Sequence, residues 1–299
     1  MDLDLDPTTV RQVLPTFLSS FATTPELTQA LAEQVTAHVA TWSDAEVEQA
    51  VECIRQVGSD TRVWPADPRL RPLARDYCAQ IFTETSVEGL DHLRGALEAG
   101  PVLLLGNHLA YIDSLAIDNA LLRAGEEALA DRVVSVAGPK VYTDLFRRLA
   151  AACLHTVPAP QSTQLAHTAR LSNKELARLA LASLTAARGA LREGKAILLF
   201  GEGSRTRTGR LQPFVRGVHR YLGLVPDLAV VPFALTGADR VMPVGIERMT
   251  PHPIHVRFGA PVRVADEEGT RQALATTWSR VAGLLPASHA PDDDTPAVA

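Results

Sequence analysis

An imidazole and a carboxylate five residues apart, His108 and Asp113, lie in the run Gly106-Asn-His-Leu-Ala-Tyr-Ile-Asp-Ser-Leu115, directly after the apolar stretch Val102-Leu-Leu-Leu105. Histidine titrates near neutral pH, and a carboxylate bonded to one ring nitrogen fixes the tautomer, leaving the other nitrogen to take a proton. That is the equipment of a general base with its orienting partner, although the same spacing also occurs in purely structural pairs. A second constellation follows another apolar run: Leu198-Leu-Phe-Gly-Glu-Gly-Ser-Arg-Thr-Arg-Thr-Gly-Arg210. Its glycines permit tight turns, while Arg205, Arg207 and Arg210 concentrate positive charge. Guanidinium forks and glycine-freed N–H groups suit a phosphate monoester. Glu202 in this loop would hold an arginine or a substrate hydroxyl, or form an ordinary loop salt bridge.

Elements must place these groups. Thr24-Pro25-Glu26 reads as a helix start, with Leu27, Leu31, Val35 and Val39 recurring on one face. Ser43-Asp-Ala-Glu46 is a capping box, and a further helix is expected around Leu73 to Phe82. From about Val87, short apolar runs alternate with helical patterns. Strands are expected at Val102 to Leu105, Val133 to Ala137, Ala196 to Phe200, Leu228 to Leu235 and Ile254 to Phe258. Helices are expected at Ser114 to Arg123, Tyr142 to Ala152 and Leu176 to Arg192. The fold class is α/β: a mixed, largely parallel sheet flanked by helices and preceded by an N-terminal helical region. The partition is residues 1–85 helical, 86–285 the α/β domain, and 286–299 a tail whose Pro, Asp and Ala content predicts disorder. The N-terminal helices would be an appendage, or would cover one face of the sheet. Ligands of open α/β sheets gather at the carboxyl ends of strands, so the two constellations form one site if their strands are neighbours.

Composition narrows the function. The chain has 299 residues, 46% hydrophobic, and a formal charge of -5, which argues against nucleic acid as a partner. Three dispersed cysteines and unclustered histidines suggest no disulfide framework and no metal. The acidic N-terminus does not resemble a signal peptide, and no apolar run reaches the roughly 18 residues of a spanning helix. The expected location is therefore the cytoplasm, with any membrane contact peripheral. Gly189 to Lys195 imitates a P-loop but leads from helix to strand and lacks the required Ser or Thr, so ATP chemistry is not expected.

The ordered blocks Asn107-His108-x4-Asp113, Phe200-Gly-Glu-Gly-Ser-Arg205-Thr-Arg207 and Val230-Val-Pro232-Phe-Ala-Leu-Thr-Gly237 resemble those of the glycerol-3-phosphate and lysophosphatidate acyltransferases. The resemblance spans about residues 87–262. It implies transfer of an acyl group from a coenzyme A or acyl-carrier-protein thioester, as co-substrate, to the hydroxyl of a phosphorylated glycerol, in phospholipid biosynthesis and without a cofactor. His108 would be the base, Asp113 its orienter, and Glu202, Gly203, Ser204 and Arg205 part of the acceptor site. Pro232 would shape the acyl-donor side. A finer likeness to the soluble chloroplast-type glycerol-3-phosphate acyltransferases pairs Arg205 with Arg207 on the acceptor phosphate. Two departures stand out: the intermediate block, Thr156-Val-Pro-Ala-Pro-Gln-Ser162, lacks a basic residue, and Gly201 replaces a common proline. The missing phosphate contact would come from Lys140, Arg170 or Lys174. The alternatives are an O-acyltransferase for another lysolipid or alcohol, and a catalytically silent lipid-binding member of the fold.

Overall fold

The computed structural model describes residues 6–159 and 172–299. Four helices come first: α1 (Pro7–Ser19), α2 (Pro25–Ala40), α3 (Asp44–Gln56) and α4 (Leu70–Ile81). Their starts follow from local chemistry. The side chains of Asp6, Thr24 and Ser43 accept first-turn N–H groups that have no partner within the helix. Ser43 and Glu46 complete the reciprocal capping box. Leu27, Leu31, Val35 and Val39 are all buried, so the four-residue recurrence does mark the packed face.

There follow β1 (Thr85–Glu88), α5 (Leu90–Ala99), β2 (Val102–Gly106), α6 (Asp113–Arg123), the single turn α7 (Glu127–Ala130) and β3 (Val133–Ala137). The single turn α8 (Pro139–Tyr142), α9 (Leu145–Ala152) and β4 (His155–Pro158) come next. The C-terminal half holds α10 (Asn173–Arg192), β5 (Ala196–Phe200), the single turn α11 (His219–Leu222), β6 (Ala229–Thr236), the single turn α12 (Ala238–Val241), β7 (Ile254–Phe258), β8 (Val262–Arg263) and α13 (Thr270–Leu284). The five strands expected from apolar runs are all present. The sequence reading missed β1, β4 and β8, which have at most four residues, too few for a period to register.

All eight strands form one sheet in the order β1-β7-β6-β2-β5-β3-β4, with β8 pairing β6 beside that path. Strand β2 pairs in parallel with both β5 and β6, while β7 and β8 run antiparallel to β6. Gly106 lies opposite Phe200 on one side and Phe233 on the other, so the ends of β2 and β5 are adjacent. Side chains alternate across the sheet. Val102 and Leu104 join the core beneath the N-terminal helices, and Leu103 and Leu105 join the core shared with α10 and α13. Every residue of β2 is buried, as a central parallel strand covered on both faces requires.

The N-terminal helices cover one sheet face and share its core. The expected boundary at residue 85 falls inside the β1 pairing with β7. Asp118 of α6 ties α4 to this face, accepting from Arg71 at 2.6 Å and Arg75 at 3.0 Å. Residues 286–299, expected to be disordered, instead lie along the loop after β5. Leu211 N–H donates to His289 O at 2.9 Å, and Phe214 N–H to Ala297 O at 3.0 Å. Backbone pairing, which composition does not register, holds that segment in place. No helix of the described residues is long and apolar enough to cross a membrane.

Candidate active site

Strand β2 ends on Gly106, where a side chain would not fit: an added Cβ would stand 2.3 Å from Phe233 O. Asn107 then behaves as a surrogate strand residue. Its Nδ2 donates to Leu235 O and its Oδ1 accepts from Leu235 N–H, both at 2.8 Å, fastening the loop to β6. The next residue is His108. Its Nδ1 lies 2.7 Å from Asp113 Oδ2.

Asp113 is the first residue of α6 and is completely buried. It accepts Leu109 N–H at 2.6 Å and Ala110 N–H at 2.9 Å, so it organises the turn as well as the histidine. Its position at a helix N-terminus favours the negative charge. A carboxylate accepts at this position when ionised, and the tautomer that donates to it from Nδ1 is the one that leaves a lone pair on Nε2. The structural and catalytic readings of the five-residue spacing are therefore compatible: one carboxylate serves both. The His108 ring stacks on Phe200 with centroids 4.3 Å apart, which fixes its plane.

Two cavities meet at His108. The first, of about 260 Å³, is bordered by Lys140, Arg147, Arg205 and Arg207, and no carboxylate is among its lining residues. The second, of about 640 Å³, has largely apolar walls that include Val136, Leu184, Leu199 and Val218. His108, Gly203 and Ser204 border both. One cavity suits an anion and the other an apolar group, with the base between them.

Gly203, in the left-handed region at φ 68°, turns the loop after β5 over this junction. The loop is anchored by Thr206 N–H donating to His108 O at 2.9 Å and Gly201 N–H donating to Gly106 O at 2.9 Å. A proline at position 201 could not make the second bond. A Cβ there would also meet the Phe214 ring at 2.4 Å. Arg210 turns away to the C-terminal segment, donating to Ala290 O at 3.0 Å.

Glu202 faces the second cavity and is 5% exposed. Among the described residues, neither of its oxygens has a hydrogen-bond partner of normal geometry and no arginine pairs with it. Burial pushes its carboxyl up to about 8; the nearby backbone N–H groups of Gln212 and His108 oppose the rise, and Asp113 adds to it. The unfolded chain therefore releases this proton at lower pH than the folded chain. Its contribution to stability is greatest below about 4.5, the ordinary value, and falls as pH rises towards 8. Glu202→Gln is expected to remove that slope, gaining up to about 5 kcal/mol over wild type above pH 8 and little below pH 4.5. Denaturant melts across pH read this directly, and parallel wild-type and variant curves would show that folding does not shift the Glu202 carboxyl.

Of the sequence candidates, His108, Asp113, Glu202, Gly203, Ser204, Arg205, Arg207 and Lys140 come together at this junction. Pro232 does not. It is buried within β6 opposite Leu105, where its carbonyl accepts Gly259 N–H at 2.8 Å, and it lines neither cavity. Lys174, near the start of α10, also borders neither, and Arg170 lies outside the described residues. The sequence reading overlooked Asn107 as a strut, Phe200 as a platform, and Tyr111 and Arg147 in the basic cavity. Arg147 carried only a helical signal.

The sequence pattern of the family described as Acyltransferase matches residues 84–236, about half of the chain and all of this site. A 1-acyl-sn-glycerol-3-phosphate acyltransferase of Cocos nucifera is 30% identical over 113 residues, 38% of this chain and 35% of that protein. One from Limnanthes douglasii is 35% identical over 103 residues, 34% of this chain and 36% of its own length. The matched stretch thus spans about a third of the curated relatives. The crystal structure of the 1-acyl-sn-glycerophosphate (LPA) acyltransferase PlsC from Thermotoga maritima superposes with a TM-score of 0.51 at 13% identity, covering 92% of this chain and 95% of that one, which shows a shared fold.

Proposed function

The chain belongs to the acyltransferase family, and from that premise we propose that it moves a fatty acyl group from a coenzyme A or acyl-carrier-protein thioester to the hydroxyl of glycerol 3-phosphate or 1-acylglycerol 3-phosphate. One observation carries the proposal: an imidazole whose Nδ1 is bound to a buried carboxylate stands where a four-cation cavity meets an apolar one. The cationic cavity takes the acceptor phosphate, with Arg205, Arg207 and Lys140 as its ligands. The apolar cavity takes the acyl thioester.

In this reading His108 Nε2 removes the hydroxyl proton as the oxygen attacks the thioester carbonyl carbon. The tetrahedral oxyanion then collapses, the C–S bond breaks, and the thiolate leaves with the proton that His108 gained. No acyl-enzyme forms. Glu202, neutral below about pH 8, would offer a hydrogen bond on the thioester side. In this reading the product enters phospholipid biosynthesis and the protein works in the cytoplasm, in peripheral contact with a membrane surface.

The test offers labelled acyl-coenzyme A and acyl-carrier protein to the purified protein with glycerol 3-phosphate, lysophosphatidate and an uncharged lysolipid in parallel, with products identified by mass. Acylated phosphorylated product is the expected result. Acylation of the uncharged lysolipid alone would replace this acceptor with another alcohol, and free fatty acid alone would indicate a hydrolase.

A further inference from the structure

Two guanidinium groups stack on Tyr111. Arg205 Cζ stands 3.5 Å from its ring centroid and Arg147 Cζ 3.9 Å from the same centroid. Stacking on one ring brings two like charges close, an arrangement that an anion between or beside them would relieve. Arg147 comes from α9 and Arg205 from the loop after β5, so only the fold joins them. Both border the basic cavity together with His108.

Arg147 also has a carboxylate partner. It pairs with Glu247, on the segment following α12, and more distantly with Asp144 at 3.8 Å. The two ends of the Glu247 pair differ: the Arg147 side chain is 16% exposed and that of Glu247 54%. The partner on the outer side can leave into water at little cost, while the guanidinium stays in the wall of the cavity.

On the reading given under Proposed function, we infer that Arg147 is a phosphate ligand of the acceptor, held ready by Tyr111 and exchanging Glu247 for the phosphate when the acceptor binds. Arg147 and Arg205, both stacked on Tyr111, then share the phosphate. Glu247 serves as a place-holding anion that the substrate displaces, so it sets acceptor affinity in the opposite sense to Arg147.

The experiment measures acyl transfer and, independently, calorimetric binding of glycerol 3-phosphate and of lysophosphatidate without acyl donor, in wild type, Arg147→Ala, Arg147→Lys and Glu247→Gln. Arg147→Ala is expected to weaken binding of the phosphorylated acceptor about 10- to 100-fold, mainly in KM, with partial recovery in Arg147→Lys. Glu247→Gln is expected to tighten it about two- to fivefold. Thermal melts check that each variant folds. Equal binding by wild type and a folded Arg147→Ala overturns the inference, as does weakening in both Arg147→Ala and Glu247→Gln, the pattern of a purely structural bridge. Binding of neither phosphorylated acceptor by wild type overturns this inference and the acceptor assignment together. Acceptor binding without acyl transfer refutes the acyltransfer reading alone.

Discussion

His108→Ala is expected to slow acyl transfer about 100- to 10,000-fold, the usual contribution of a positioned general base. The loss should fall on kcat and on kcat/KM together, because the ring acts as the hydroxyl oxygen attacks and contributes little to holding the ground state. Removing the ring leaves Asp113 with its two backbone donors, so the turn before α6 keeps its internal bonds. Phe200 loses its stacking partner, a contact at the mouth of the site rather than in the deep core. A thermal melt should therefore sit close to that of wild type, while single-turnover transfer from a labelled thioester collapses. Wild-type transfer rates in the alanine variant would exclude His108 as the base.

The second large effect is expected from Asp113→Asn. Three donors converge on this carboxylate: His108 Nδ1, Leu109 N–H and Ala110 N–H. An amide has one accepting oxygen and one donating NH2, so one of the three positions must face a donor instead. If the NH2 faces His108, it needs the Nδ1 lone pair, and the proton moves to Nε2, where the base must be bare. If it takes the place of Oδ1 instead, Ala110 N–H is left without an acceptor in a fully buried site. Activity should fall about 100-fold or more, the general-base contribution at its lower bound. Stability should fall by about 1 to 3 kcal/mol, the usual cost of a buried group left unpaired. Unlike His108→Ala, this variant should fail in both assays, transfer and denaturant melt. Full stability with lost activity would mean that the amide is accommodated and that only the tautomer matters. Retention of both would refute the role of Asp113.

The pattern of the two variants follows from how local the site is. His108 and Asp113 are five residues apart, and every bond of the carboxylate stays within residues 108–110. Such a unit is written in a short stretch of chain, and so it was legible there. The same holds for the capping box of α3, the central strands β2 and β5, and the glycine and arginine content of the loop after β5. Each depends on neighbours along the chain: a hydroxyl three residues from a glutamate, an apolar run, a cluster of like charges.

What the chain could not display is what arises when remote surfaces meet. The adjacency of β2 and β5 turned two loops into one site, and no local pattern orders strands within a sheet. Glu202 was open to reading as an arginine partner; the fold buries it with no counter-ion among the described residues, and burial pushes its carboxyl up. Arg147 lay in an ordinary amphipathic helix until folding set it, with Arg205, against Tyr111. The C-terminal segment looked too polar and proline-rich to order itself, yet backbone bonds to the loop at Leu211 and Phe214 hold it. By itself the sequence determined the histidine–carboxylate pair and the elements that carry it, because short-range hydrogen bonding and periodic burial need only neighbouring residues. Only the tertiary structure decided which charges share a cavity and which carboxyl keeps its proton, because desolvation and electrostatic proximity belong to surfaces brought together from distant parts of the chain.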